Sequence, residues 1–115
     1  MVADTYVPDR GDLVWLNFSP QSGHEKAGHR PALVLSPKSY NQSSHLLLCC
    51  PITSQVKGYP FEVLLPNNAT IQGVVLADQV KSFDWHHRDV RFIQKSPEPV
   101  LISTLVKIQT LIDLP

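Results

Sequence analysis

Residues 12 to 18, Asp-Leu-Val-Trp-Leu-Asn-Phe, are the strongest constraint on the fold of this chain. Side chains alternate along a strand, so Val14, Leu16 and Phe18 share one face while Leu13 and Trp15 share the other. Neither face is polar. Such a strand has to lie inside a closed or sandwiched sheet, or turn one side into a subunit interface. The rest of the chain must therefore supply cover on both sides of it.

Beyond residue 30 the chain reads as a succession of short strands. Pro31 opens an apolar run over 32–36 that Pro37 ends, and Asn41 to Ser44 read as a turn. Leu46 to Ile52 form a third strand, in which Pro51 predicts an edge or a bulge. Lys57-Gly58-Tyr59-Pro60 reads as a turn and 61–65 as a fourth strand. Gly73 to Lys81 read as one longer strand with Asp78 on the apolar face of Val74, Leu76 and Val80, unless a bulge intervenes. A carboxylate on such a face needs a partner. Trp85 to Asp89 suit a turn or short helical piece, and Val90 to Lys95 a sixth strand. The period then changes: Ser96 is a candidate N-cap, Pro97 suits the first helical position, and Leu101, Leu105, Ile108 and Ile112 repeat at helical spacing. The fold class is mainly β with a C-terminal helix (α+β), a compact, mostly antiparallel, barrel-like sheet.

The 115 residues are expected to form a single domain, 1–115, with 43% hydrophobic residues to build its core. No run approaches a membrane span and the N-terminus is unlike a signal peptide, so a cytoplasmic protein is expected. Ten Lys and Arg balance ten Asp and Glu. That neutrality excludes the strongly basic footprint of a general nucleic-acid coat protein, so any nucleic acid would be held by local charges. Cys49 and Cys50 are neighbours whose side chains point to opposite faces, so they are expected reduced and buried rather than bridged.

Chemistry concentrates in Gly23-His24-Glu25-Lys26-Ala27-Gly28-His29-Arg30-Pro31, a loop by its glycines and proline. His24 and His29 are five apart, with Gly28 where a helical zinc motif needs its second histidine, which argues against metal. No phosphate-cradling glycine motif exists, and a mid-strand thiol is poorly placed to be a nucleophile. His86 and His87 read as a solvated turn. Metal-free RNA cleavage remains: the ribose 2′-hydroxyl is the nucleophile, and the protein supplies base, acid and cations. Glu25, Arg30, His24 and His29 are of the right types, Arg30 foremost because its planar fork can hold two phosphate oxygens. An exposed Glu25–Arg30 ion pair that merely ties down the loop is an equal reading of the residues alone.

Gly11-Asp12-Leu13-Val14-Trp15, Gly28-His29-Arg30-Pro31-Ala32-Leu33-Val34-Leu35-Ser36, Pro51-Ile52-Thr53-Ser54, Lys57-Gly58-Tyr59-Pro60-Phe61-Glu62-Val63 and Ala77-Asp78-Gln79-Val80-Lys81-Ser82 together resemble the MazF/PemK family of toxin endoribonucleases. The resemblance implies a small SH3-like, PemK-type barrel, homodimeric, that cuts single-stranded messenger RNA at a short motif of the ACA type. It implies no metal, cofactor or ribosome, and products with a 2′,3′-cyclic phosphate and a 5′-hydroxyl. The implied partner is a cognate antitoxin, MazE-like, whose acidic C-terminal segment lies across the RNA groove. Arg30 and Thr53 match the family's central catalytic pair, Glu25 the loop acid proposed as base, and His24 a histidine of some relatives, so Glu25 and His24 both stand as candidates for the base. Asp78 matches a carboxylate of those relatives, but Leu76 replaces their arginine. His29, Ser54, Lys57, Asp78, Gln79 and Lys81 are the candidate substrate contacts, although Lys57, Gln79 and Lys81 equally suit an ordinary surface. The rival readings are a same-fold toxin that binds a protein such as DNA gyrase without cutting RNA, and an SH3-like adaptor using Trp15, Trp85 and Tyr59.

Overall fold

The structure is a computed structural model that describes residues 6–19 and 28–115. Among the described residues, seven strands and two helices follow in the order β1 (Asp12–Asn17), β2 (His29–Val34), α1 (Lys38–Ser44), β3 (Leu46–Thr53), β4 (Glu62–Leu64), β5 (Val74–Leu76), β6 (Lys81–Asp84), β7 (Arg91–Lys95) and α2 (Glu98–Ile112), with a 3₁₀ turn at Trp85–His87. Every ladder is antiparallel, and the sheet runs β4-β5-β3-β2-β1-β7, with β6 also paired to β3. The expected mainly-β architecture with a C-terminal helix is what forms. No helix among the described residues is long and apolar enough to cross a membrane.

The two apolar faces of β1 explain why the sheet is covered on both sides. Leu13 joins Leu33, Cys50, Ile52, Val63 and Val75 in one buried cluster, into which α2 sends Val100 and Ile108. Val14, Leu16 and Phe18 join Ala32, Val34, Leu47, Cys49, Phe83 and Trp85 in the other. Burying each such side chain contributes roughly 1.5–3 kcal/mol before entropy is counted. Adjacent Cys49 and Cys50 divide between the two clusters, both free thiols. Burial pushes the Cys50 thiol up to about 12 and raises that of Cys49 well above its usual value, so both stay protonated.

Four local expectations are corrected. Residues 41–44 belong to α1, a helix with no apolar period of its own. It is held by tertiary bonds: the Asn41 amide donates to the carbonyls of Pro8 (2.8 Å) and Ser36 (3.0 Å), and the Trp85 indole donates to the Asn41 carbonyl (3.0 Å). The stretch 73–81 is not one strand. β3 pairs with β6 up to Cys49↔Lys81 and with β5 from Ile52↔Val75, so residues 77–80 loop out between the two ladders. Asp78 is consequently exposed rather than set on an apolar face. Pro51 is no edge residue, since it pairs with Ala32 of β2; it sits where the outer ladder of β3 changes partner, and there its missing N–H costs little.

The helix end also differs. Pro97 rather than Ser96 takes the N-cap position, with no side-chain cap, while the Ser96 hydroxyl donates to the Pro97 carbonyl at 2.8 Å. The buried residues of α2 are Val100, Thr104 and Ile108, with Leu101 packed beside them. Leu105 and Ile112 lie 36% and 75% exposed, so the inward stripe is turned from the one that leucine and isoleucine spacing marks out.

At the start of β1 lies a polar knot. Asp12 is 2% exposed; its Oδ2 accepts from the Tyr6 hydroxyl and from the Asp9 N–H (3.0 Å), and its Oδ1 meets the Lys95 ammonium. Burial, and after it the hydrogen bond to Asp12, raises the Tyr6 phenol far above its ordinary value of 10.0. The hydrogen bond to Asp12 likewise raises Lys95.

Candidate functional site

The other end of the same sheet is open and polar. Arg30 lies on β2 opposite Leu16 of β1. On its far side β2 pairs with β3 as Val34↔Cys49, Leu33↔Cys50 and Ala32↔Pro51, a constant sum of 83. Carried two residues on, that register sets Arg30 opposite Thr53, on one face of the sheet. Thr53 ends β3 and is 5% exposed, and its Oγ1 accepts from the Gln55 N–H at 3.2 Å. A half-buried guanidinium and a strand-end hydroxyl therefore flank the point where the chain leaves the sheet.

Two cavities open there. One of about 340 Å³ is lined by Thr53, Lys57, Tyr59, Asp78 and Gln79, among others. The second, about 430 Å³, is lined by Trp15, His29, Arg30, Ser54 and Gln72 together with Pro31, Ile52 and neighbouring loop residues. The candidate residues thus fall into two groups that adjoin along the consecutive pair Thr53–Ser54. Lys81 lines neither; it pairs with Cys49, farther back along β3. Glu25 and His24 lie outside the described residues.

In the second cavity the His29 ring stacks on the Trp15 indole, with centroids 5.8 Å apart and planes at 10°, and its Nε2 lies 3.9 Å from the Asp89 carboxylate. Trp15, 37% exposed, is the side chain on the Leu13 face of β1 that the core leaves open. In the first cavity a hydrogen bond with Asp78, and then the Asp78 charge, raise the Tyr59 phenol above its ordinary value. The loop-out of 77–80 is what brings Asp78 and Gln79 to Thr53. Neither could reach it from an unbroken strand.

Tyr59 and Glu62 are contributors that residue type alone does not reveal. Glu62 looks like the polar position of an alternating strand, yet its carboxylate accepts from the N–H groups of Lys57, Gly58 and Tyr59 at 3.0, 3.0 and 3.2 Å. A glycine turn with a carboxylate a few residues downstream is the signal that could have marked it. Gly73 closes the site from behind: at φ 120°, a Cβ on it would stand 2.1 Å from the Thr53 carbonyl oxygen, so β5 can approach Thr53 only because this residue has no side chain. Among the described residues, no group of three or more His, Cys, Asp or Glu could hold a metal ion.

Arg30 and Thr53 thus lie near adjoining strand ends of a small antiparallel sheet, each lining one of two cavities. Residues 9–112 match the model of a family described as PemK-like, MazF-like toxins of type II toxin-antitoxin systems, and the chain belongs to that family. It is 58% identical over 83 residues to the endoribonuclease toxin MazF of Escherichia coli K12, covering 72% of this chain and 74% of that protein. The structure superposes on the crystal structure of Deinococcus radiodurans MazF with a TM-score of 0.92 and 51% identity, over 96% of this chain and 100% of that one. A MazE-MazF structure from the same organism matches with a TM-score of 0.87 and 50% identity, again over 96% and 100%.

Proposed function

We propose that this endoribonuclease cuts single-stranded RNA, chiefly messenger RNA, at a short base sequence, independently of ribosomes and of metal ions. The observation that supports the reading is the β2–β3 register, which carried two residues past Ala32↔Pro51 brings Arg30 opposite Thr53, each lining a cavity. A base removes the proton of the ribose 2′-hydroxyl, the freed oxygen attacks the adjacent phosphorus, and the 5′ oxygen leaves with a proton from an acid. The products are a 2′,3′-cyclic phosphate and a 5′-hydroxyl. Arg30 holds two non-bridging oxygens and stabilises the charge that grows on them. Thr53 bonds Arg30 and the phosphate, and Glu25 and His24 divide the proton transfers. His29, Ser54, Lys57 and Gln79 contact bases and backbone, which suffices for a neutral protein because only a few local charges are needed. Asp78, exposed and directed at Tyr59, serves the groove's shape rather than proton transfer.

The same reading includes a cytoplasmic homodimer and a MazE-like antitoxin whose acidic C-terminal segment covers the groove. The MazE-MazF complex of the Deinococcus relative supports the partner, and the exposed Ile102, Val106 and Ile112 on α2 support self-association. Incubation of the purified protein with a long single-stranded RNA in EDTA tests the activity. Discrete fragments ending in cyclic phosphate are expected, and intact RNA would reject it. Sedimentation at micromolar concentration should give twice the chain mass, and a monomer would reject the dimer.

A further inference from the structure

Glu62 opens β4, half-buried, and its carboxylate is directed wholly at backbone. Lys57 donates to Oε2, and Gly58 and Tyr59 to Oε1. Three successive amides converge on one carboxylate only if the chain curls round it, and Gly58, at φ 77°, provides the curl. Such a run of amides is an anion-binding concavity, here filled by the protein's own anion a few residues downstream. The turn is thereby fixed to β4. β4 is in turn fixed to β3 through β5, by Glu62↔Leu76 and then Thr53↔Val74. The Tyr59 side chain reaches Asp78, and the Ala77 N–H donates to the Phe61 carbonyl at 2.9 Å, so the 57–59 and 77–79 turns meet across the groove.

Lys57 and Tyr59 thus stand over Thr53 because of a residue whose own polar atoms are engaged elsewhere. We propose that Glu62 is a positioning residue: it holds the turn bearing Lys57 and Tyr59 over the Thr53 groove, and so governs how firmly RNA is held rather than how fast held RNA is cut. The proposal rests on the reading of that groove as an RNA site. A turn whose N–H groups are pinned keeps the Lys57 and Tyr59 backbone at the cavity before substrate arrives, so less ordering is left for binding to accomplish.

Steady-state cleavage of a short single-stranded oligoribonucleotide, carrying one site mapped from the long-RNA digest, tests this with Glu62→Ala, Glu62→Gln and Tyr59→Phe. Glu62→Ala is expected to raise KM about tenfold while kcat stays within about twofold, and to flatten the dependence of KM on salt as the Lys57 contact is lost. Glu62→Gln keeps one acceptor oxygen but turns an NH₂ toward the remaining amide, so it should fall between wild type and Glu62→Ala. Tyr59→Phe, which leaves the backbone bonds intact, should raise KM about threefold. A folded Glu62→Ala protein with unchanged KM, or one that loses kcat at unchanged KM, overturns the proposal. Should that variant fail to fold, the same criteria apply to Glu62→Gln. Absence of cutting by the unaltered protein is a different result: it removes the RNA reading of the groove and this inference with it.

Discussion

The two ends of β1 carry the same kinds of side chain and put them to opposite use. At its start Asp12, Tyr6, Asp9 and Lys95 close on one another, and the carboxylate is almost wholly withdrawn from water. At the other end Arg30, Thr53, Lys57, Asp78 and Gln79 line cavities that open to solvent. The first network ties Tyr6 and Asp9 to Lys95 of β7 through Asp12 and so serves the fold. The second leaves its side chains along cavities that solvent can enter. Residue type alone does not distinguish them; exposure does, since Asp12 is 2% exposed whereas Asp78 faces solvent.

The sharpest way to break the contrast is Arg30→Ala. Cutting should fall about 10³-fold or more while the thermal midpoint barely moves, as expected for loss of a group that stabilises transition-state charge. A folded, fully active variant would remove Arg30 from the site. Thr53→Val should come next, with kcat down about 10- to 100-fold, the worth of one hydrogen bond to a charged group. Quantitation of cleavage by gel, with circular dichroism as the folding control, decides both.

The closed end should behave in reverse. Asp12→Asn is expected to lower the unfolding free energy by about 2 kcal/mol in a denaturant titration, less than a fully buried pair would because Lys95 is mostly in water, and to leave cutting per folded molecule unchanged. The smallest effect concerns pH. The folded Tyr6 phenol titrates above its unfolded value of 10.0, so its contribution is complete below pH 10. Above that pH the unfolded chain sheds the proton first and stability falls. Tyr6→Phe should therefore be less stable at neutral pH but show a shallower loss of thermal midpoint above pH 10. An unchanged alkaline slope would contradict the assignment.

Much of the fold is legible in the residues, and for identifiable reasons. Two-sided apolar character buries both faces of β1, and the adjacency of Cys49 and Cys50 foretells their separation into two clusters. Thr53 is legible only through the family resemblance, since nothing in Pro-Ile-Thr-Ser marks a strand end opposite Arg30; that comes from register, which is set by pairing between distant segments. α1 escapes because its stabilisation comes from Asn41 and Trp85 rather than from an apolar stripe. The break at 77–80 escapes for a related reason: Val74, Leu76 and Val80 repeat at strand spacing across it, and only the change of partner along β3 forces it out. The inward face of α2 turns on Thr104, a residue that hydrophobic counting skips and whose hydroxyl is satisfied by the Val100 carbonyl at 2.8 Å.

Gly73 has a consequence for how such an enzyme can diversify. The turns at 57–59 and 77–79 line the cavity beside Thr53 with side chains that can be exchanged without disturbing the sheet. Position 73 has no such freedom: any added carbon drives into the main chain of Thr53, so evolution can redecorate the front of the groove while its rear wall stays frozen at the bare backbone.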